Sequence, residues 1–200
     1  MANETLYIGR QPILDRNEKL YSYELLFRSE GEMSAVILDD VKATAKVLVN
    51  TLNNIGIDKL LGGRLGFINF NEEMLIDEVL NILPKDKFVL EILEFSKVDE
   101  ALIERVKYLT ENGYRFAIDD FVFTGEMIKK FKPLFPYVTV IKVDVLEMSR
   151  DKLRQNTPIL KKLGVKLLAE KVEDREMFDL CLDLGFDLFQ GYYFSKPEII

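Results

Sequence analysis

Seven polar positions close strand-length apolar runs along this 200-residue chain: Glu24, Asn69, Glu91, Asp119 with Asp120 beside it, Lys142, Glu170 and Gln190. From Asn69 onward they are separated by 22, 28, 23, 28 and 20 residues, each gap the length of one strand-plus-helix unit. Five carboxylates, those of Glu24, Glu91, Asp119, Asp120 and Glu170, cannot all stay ionised in one low-dielectric cleft without cations, because like charges raise one another's pKa. Oxygen ligands without imidazole or thiolate select a hard ion, Mg²⁺ or Mn²⁺ (or Ca²⁺), over zinc or copper. Two such ions bring about +4 against about −5 and let an anionic phosphodiester approach. The chain has no histidine. That excludes Ser-His-Asp and Cys-His nucleophile systems, HExxH metal sites and histidine bases together.

Each position also has a simpler reading, and the residues alone leave both open. Asp119-Asp120 could cap a following helix, Glu24 could face outward from a hairpin, and Lys142 could point away from the cluster toward a helix carboxylate. Glu170 and Glu173 could be the acidic first turn of a helix, while Asn69 and Gln190 could be core amides. The joint case is the stronger one. In a barrel of parallel strands, side chains at the strands' C-terminal ends converge on one mouth, where barrel enzymes keep their chemistry.

The elements that must position these residues follow from the apolar pattern. Runs at 65–68, 88–92, 116–118, 138–143, 166–169 and 187–193 are continuous rather than alternating, as in parallel strands buried on both faces. Between them lie helical stripes. Val41, Ala45, Leu48, Leu52 and Ile55 predict a helix stopped by Gly56; Val98, Leu102, Val106 and Leu109 predict one ending at Gly113. Thr157-Pro158 reads as the start of a helix closed by Gly164. The opening differs: runs at 6–14 and 19–27 flank a four-residue polar turn at 15–18, too short for a crossover helix, so the first two strands should form an antiparallel hairpin. Gly62-Gly63-Arg64-Leu65-Gly66 matches no phosphate-binding loop and reads as a turn before a strand.

Composition sets the class. Hydrophobic residues make up 48% and charged residues 30%, as in one folded domain over residues 1–200. A formal charge of −7 argues against broad capture of DNA, RNA or an anionic membrane. The single cysteine, Cys181, reads as a buried helix residue; with no basic-then-apolar leader, the expectation is a cytoplasmic protein.

The residues also spell an ordered set of strings: QPI at 11–13, YELLFR at 23–28, FINF at 67–70, LEILE at 90–94, DDF at 119–121, IKVD at 141–144, AEKVE at 169–173 and QGYYFSKP at 190–197. Over essentially its whole length the chain resembles the EAL domain family of cyclic-di-GMP phosphodiesterases, and it looks most like the EAL-HDOD branch. The resemblance implies an α/β fold, a modified (β/α)8 TIM-type barrel with an antiparallel N-terminal strand, and hydrolysis of cyclic-di-GMP to linear pGpG. It implies a two-metal Mg²⁺ or Mn²⁺ site, with Glu24, Asn69, Glu91 and Asp119 on one ion and Asp119 and Asp120 on the second. Lys142 then positions or activates the attacking water, and Glu170 is the base or a metal partner. Arg28 contacts phosphate, Gln11, Glu173 and Gln190 complete the substrate pocket, and Glu94 anchors the loop after Asp120. The branch further implies an HDOD domain in the full-length protein, consistent with an apolar end at Ile199-Ile200, and the family often forms homodimers.

Three positions depart from the family pattern. Leu25 stands where the Glu-Ala-Leu signature has alanine. Val122 interrupts the DDFGTG loop usual in active members, and Lys171 replaces a glycine in AEKVE. The resemblance therefore carries two readings, a phosphodiesterase of low activity or a degenerate module that binds cyclic-di-GMP or a protein partner as a receptor.

Overall fold

A computed structural model of the protein describes residues 6–29, 56–71, 74–75, 80 and 83–200. The stripe expected at Val41, Ala45, Leu48, Leu52 and Ile55 lies outside the described residues; Gly56, read as its stop, has φ 89° and begins the next helix. The expected hairpin is present. Strands β1 (Leu6–Asp15) and β2 (Leu20–Ser29) pair antiparallel, and the Asp15 carboxylate closes the turn by accepting from the N–H groups of Asn17 at 2.8 Å and Lys19 at 3.0 Å.

The chain then alternates through α1 (Ile57–Leu61), β3 (Leu65–Phe70), β4 (Phe88–Ile92), α2 (Glu100–Glu111), β5 (Arg115–Phe121), α3 (Gly125–Phe131) with a 3-10 turn (Lys132–Tyr137), β6 (Val140–Asp144), α4 (Arg150–Lys161), β7 (Lys166–Glu170), α5 (Arg175–Asp183) and β8 (Leu188–Phe189). Strands β2 to β8 pair in parallel in chain order. Strand β1 pairs antiparallel with both β2 and β8, which closes an eight-stranded barrel, and a short β9 (Glu198–Ile199) adds to β1 at Gly9 and Arg10. This is the modified TIM-type barrel expected from the sequence.

Alternation along the strands divides the apolar residues into two cores. Ile13, Phe67, Val89, Ala117, Val140, Leu168 and Leu188 point inward and fill the barrel. Their neighbours, among them Leu25, Ile68, Leu90, Ile118, Ile141 and Phe189, point outward against the helices. Leu25 is thus 1% exposed in the outer core, and its extra bulk packs away from the mouth. Helix α2 buries Leu102, Val106 and Leu109 as its stripe predicts and is capped by Asp99, which accepts from Leu102 N–H at 3.1 Å. Cys181 is fully buried in α5, and that burial pushes its thiol up to about 12. Among the described residues, no helix is long and apolar enough to cross a membrane.

Two local expectations fail. Helix α4 begins at Arg150 behind a Ser149 cap and runs through Thr157-Pro158, because Leu153, Thr157 and Leu160 form a buried stripe that outweighs the proline's lost backbone bond. The run at 187–193 is a strand only at Leu188–Phe189. Beyond it the chain folds back on residue 172: Val172 N–H donates to Gln190 O, and Tyr193 N–H donates to Val172 O, each at 3.0 Å. Gly191 permits that approach, since a Cβ there would lie 2.1 Å from Val172 O. Gly191→Ala is expected to lower stability by about 3 kcal/mol, seen as a fall in melting temperature of roughly 6–12 °C. Gly62→Ala, where a Cβ meets nothing within 4 Å but φ is 56°, is the comparison and should cost about 1–2 kcal/mol. Equal losses in the two variants would refute the close approach.

Candidate active site at the barrel mouth

The polar residues at the strand ends stand one layer above the apolar plug. Along each strand, a step of two residues from a plug residue toward the mouth keeps the side chain inside the barrel. That step leads from Ile13 to Gln11 in the reversed β1, Phe67 to Asn69, Val89 to Glu91, Ala117 to Asp119, Val140 to Lys142, Leu168 to Glu170 and Leu188 to Gln190. Glu24 follows the buried Ser22 in the same way. Parallel register then fixes neighbours: Asn69 lies opposite Glu91, and Asp144 opposite Glu170.

Lys142 is the hub of this layer. Its Nζ, wholly buried, lies 2.5 Å from Glu91 Oε1, 2.6 Å from Asp119 Oδ1, 2.9 Å from Glu170 Oε1 and 3.6 Å from Glu24 Oε1. It donates a hydrogen bond to Asp119, whereas its approach to Glu91 is ionic and not aligned as a hydrogen bond. Burial pulls the ammonium's pKa down, but Asp119, Glu170, Glu24 and Glu91 outweigh it and hold the value well above that of an ordinary lysine. One ammonium cannot neutralise four carboxylates. Burial, opposed by Lys142 and reinforced by the neighbouring acids, accordingly raises Glu91 and Glu170 well above the usual carboxylate range.

The amides brace the acids. Gln190 Nε2 donates to Glu24 Oε2 at 2.5 Å and to Gln11 Oε1 at 3.1 Å, and Gln11 Nε2 donates to Ser195 O at 2.9 Å. Among the described residues, several buried oxygens have no hydrogen-bond partner: Asn69 Oδ1, both Glu91 oxygens, Glu170 Oε2 and Gln190 Oε1. Buried polar atoms are normally satisfied. Orphaned oxygens grouped around an excess of negative charge fit a hard divalent cation in both ligand type and charge.

A second corner lies at the exit of β5. Asp120 takes φ 42°, and carboxylate oxygens of Glu94, Asp119 and Asp120 lie within 4.8 Å of one another. Glu94 is raised by partial burial and then by the charges of Asp120 and Asp119. Among the described residues its carboxylate makes no hydrogen bond to the loop it was expected to anchor; it stands in the acid cluster instead. In that loop Val122 has no positive φ, Phe123 N–H donates to Met148 Sδ at 3.4 Å, and Thr124 caps α3 by accepting from Met127 N–H at 3.1 Å. The simpler readings of the acids therefore fail: Thr124 caps the helix after Asp119-Asp120, and Asp174 caps the one after Glu170 and Glu173.

A cleft of about 430 Å³ opens over this layer, within the roughly 300–1,000 Å³ usual for small-molecule sites. Gln11, Glu24, Asn69, Asp119, Asp120, Glu170, Glu173 and Gln190 line it, with Glu173 exposed, while Glu91 and Lys142 lie beneath the wall. Arg28 belongs to β2 by its backbone pairing with Tyr7, and its side chain lies outside the described part. Sequence reasoning missed Leu146, Tyr192 and Asp144. Leu146 and Tyr192 are 55% and 60% exposed on the cleft wall; large exposed apolar residues beside a polar pocket are the kind of signal that only the fold reveals.

Comparison with known proteins agrees with this architecture. The EAL domain family model matches residues 1–197. The chain is 36% identical over 196 residues to the uncharacterized protein YuxH of Bacillus subtilis (strain 168), covering 98% of this chain and 48% of that protein. It is also 36% identical over 200 residues to the cyclic di-GMP phosphodiesterase CdgJ of Vibrio cholerae, covering 98% and 45%; the chain thus spans about half the length of these relatives. The structure of Klebsiella pneumoniae BlrP1 in a manganese/cyclic-di-GMP complex superposes with a TM-score of 0.78 at 21% identity, covering 100% of this chain and 57% of that one. With a family match over nearly every residue and a shared barrel, the chain belongs to the EAL domain family.

Proposed function

We propose that the chain is a metal-dependent phosphodiesterase that opens one phosphodiester bond of cyclic-di-GMP to give linear pGpG. The observation that carries this is the set of buried oxygens of Asn69, Glu91 and Glu170 that accept no hydrogen bond among the described residues, gathered around a single ammonium at the barrel mouth. Such a site is short of positive charge and faces an open cleft. CdgJ, at 36% identity, supports the substrate, and the manganese of the BlrP1 complex supports the kind of ion.

Glu24, Asn69, Glu91 and Asp119 would hold one Mg²⁺ or Mn²⁺ and Asp119 with Asp120 a second, Glu94 standing beside them. Bound there, such ions supply Lewis-acid stabilisation of the phosphoryl oxygens and lower the pKa of the attacking water. Lys142, buried beneath the cleft among its carboxylates, sets a fixed positive charge under the place where phosphoryl charge builds. Glu170 lines the cleft and presents Oε2, which accepts no hydrogen bond among the described residues, so that once bound ions have displaced its own proton it can take the proton of that water. Gln190 and Gln11 lock Glu24 in orientation. Arg28, at the mouth end of β2, would meet a phosphate, and Glu173 would meet polar edges of the bases. Leu146 and Tyr192 offer apolar area to their faces. The proposal extends to a cytoplasmic setting, which the single buried cysteine supports, and, carried by the family resemblance, to an HDOD domain elsewhere in the full-length protein and pairing of two copies near the loop at 122–125.

The test is chromatography of cyclic-di-GMP incubated with the protein and Mn²⁺ or Mg²⁺. Linear pGpG should appear, vanish in Glu24→Ala, and form about 10²–10⁴-fold more slowly in Glu170→Gln with little change in KM. Tight nucleotide binding with no product, indifferent to metal, would make the protein a receptor.

A pH series checks the electrostatics. The folded protein keeps protons on Glu91 and Glu170 above about pH 4.3, where the unfolded chain has lost them, so the metal-free fold loses stability as pH rises through the raised values. Lys142 contributes fully below about pH 10.4 and does not alter this trend. Because an ion must displace those protons, the increase in melting temperature caused by Mn²⁺ should grow from pH 5.5 to pH 8. An increase independent of pH would contradict the assigned ligands.

A further inference from the structure

Lys171 occupies a backbone position that disfavours any residue with a Cβ, with φ 57°. The turn is required there, since Val172 must direct its N–H to Gln190 O and its carbonyl to Tyr193 N–H. The side chain placed by this turn reaches into the mouth. Its Nζ lies 2.7 Å from Asp120 Oδ1 and 2.5 Å from Asp144 Oδ2. These partners differ in kind. Asp144 is buried, and its other oxygen is fixed by the N–H groups of Leu146 at 2.9 Å and Glu147 at 3.0 Å, so it is a permanent anchor. Asp120 is about one-third exposed and belongs to the Glu94-Asp119-Asp120 corner. A divalent ion entering that corner needs an Asp120 oxygen, and Oδ1 of that carboxylate already carries the ammonium.

We propose that Lys171 is a tethered cation that holds the Asp120 side of the mouth, so that the second divalent ion binds much more weakly than the first. This rests on the two-ion reading above and gives it an order of filling. The ion held by Glu24, Asn69, Glu91 and Asp119 enters first; the second enters only where it draws Asp120 away from Lys171, whose ammonium then stays on Asp144. Lys171 is a positioning residue in this scheme, acting on the substrate through Asp120.

Titration of the purified chain with Mn²⁺ alone, without nucleotide, tests it, with free Mn²⁺ followed by electron paramagnetic resonance. The wild-type protein should take up one ion tightly and a second on the order of tenfold more weakly, the effect of one unit charge a few ångströms from a divalent ion in a water-like medium. Lys171→Met, which removes the charge and keeps the strained turn, should tighten the second ion by about tenfold. Lys171→Gly, which adopts φ 57° freely, should do the same. The first ion, none of whose ligands is paired with Lys171 among the described residues, reports in both variants that the mouth is intact. Two equally tight ions in the wild type, an unchanged second affinity in Lys171→Met, a gain confined to Lys171→Gly, or loss of the first ion in both variants each overturns the proposal. Failure to form pGpG with this stoichiometry intact removes the hydrolase reading and leaves the role of Lys171 standing.

Discussion

A single ammonium buried among four carboxylates governs this molecule. Lys142 stands with no solvent exposure on top of a dry apolar plug, a place where an isolated charge is unaffordable. Its carboxylate partners make it tenable, yet four acids against one base leave the layer short of positive charge. The deficit is resolved in two ways, protons on Glu91 and Glu170 or added cations, and the two compete for the same oxygens. The affinity for a hard ion proposed above follows from how the barrel interior is balanced, and removal of Lys142 would disturb the fold as well as the site.

The barrel makes such a layer geometrically inevitable once the plug is set. Inward residues two apart on one strand occupy successive layers, and parallel register carries each layer around the wall. Phe67 below Asn69, Val89 below Glu91 and Ala117 below Asp119 are the same construction repeated. The antiparallel β1 joins in with reversed numbering, Ile13 below Gln11, and so delivers the amide that meets Gln190 across the closure of the barrel.

This regularity is why much of the site was legible in the sequence. Apolar runs ending in Glu, Asn, Asp, Lys or Gln at intervals of one βα unit mark strand ends, and the ordered strings attached roles to them. Composition and spacing left open which face each residue takes: alternation defines two faces for Lys142 without saying which one is the barrel interior. The helix around Thr157-Pro158 misled because proline is a strong local signal, while the burial of Leu153 and Leu160 is a tertiary one. Leu146 and Tyr192 escaped notice because they stand on loops, that of Tyr192 shaped by the contact of Gly191 with Val172, and Asp144, at the end of β6, because its part appears only with the reach of Lys171 to it.

The three departures from the family pattern separate once their surroundings are known. Leu25 points into the outer core, so its extra carbons are buried on the face of β2 opposite Glu24. Val122 sits in a loop whose positive φ falls two residues earlier, at Asp120, and the turn into α3 is completed by Thr124. A valine therefore asks for no conformation it cannot take. Lys171 alone touches the acids of the mouth. Its pKa is pulled down by partial burial and raised, by a larger amount, through the hydrogen bonds and charges of Asp120 and Asp144, so the residue remains a cation wherever the protein is folded near neutral pH. A fixed cation and a soluble one sharing a carboxylate make occupancy depend on ion concentration. On the proposed two-ion reading, filling of the second position follows the cation supply around the mouth.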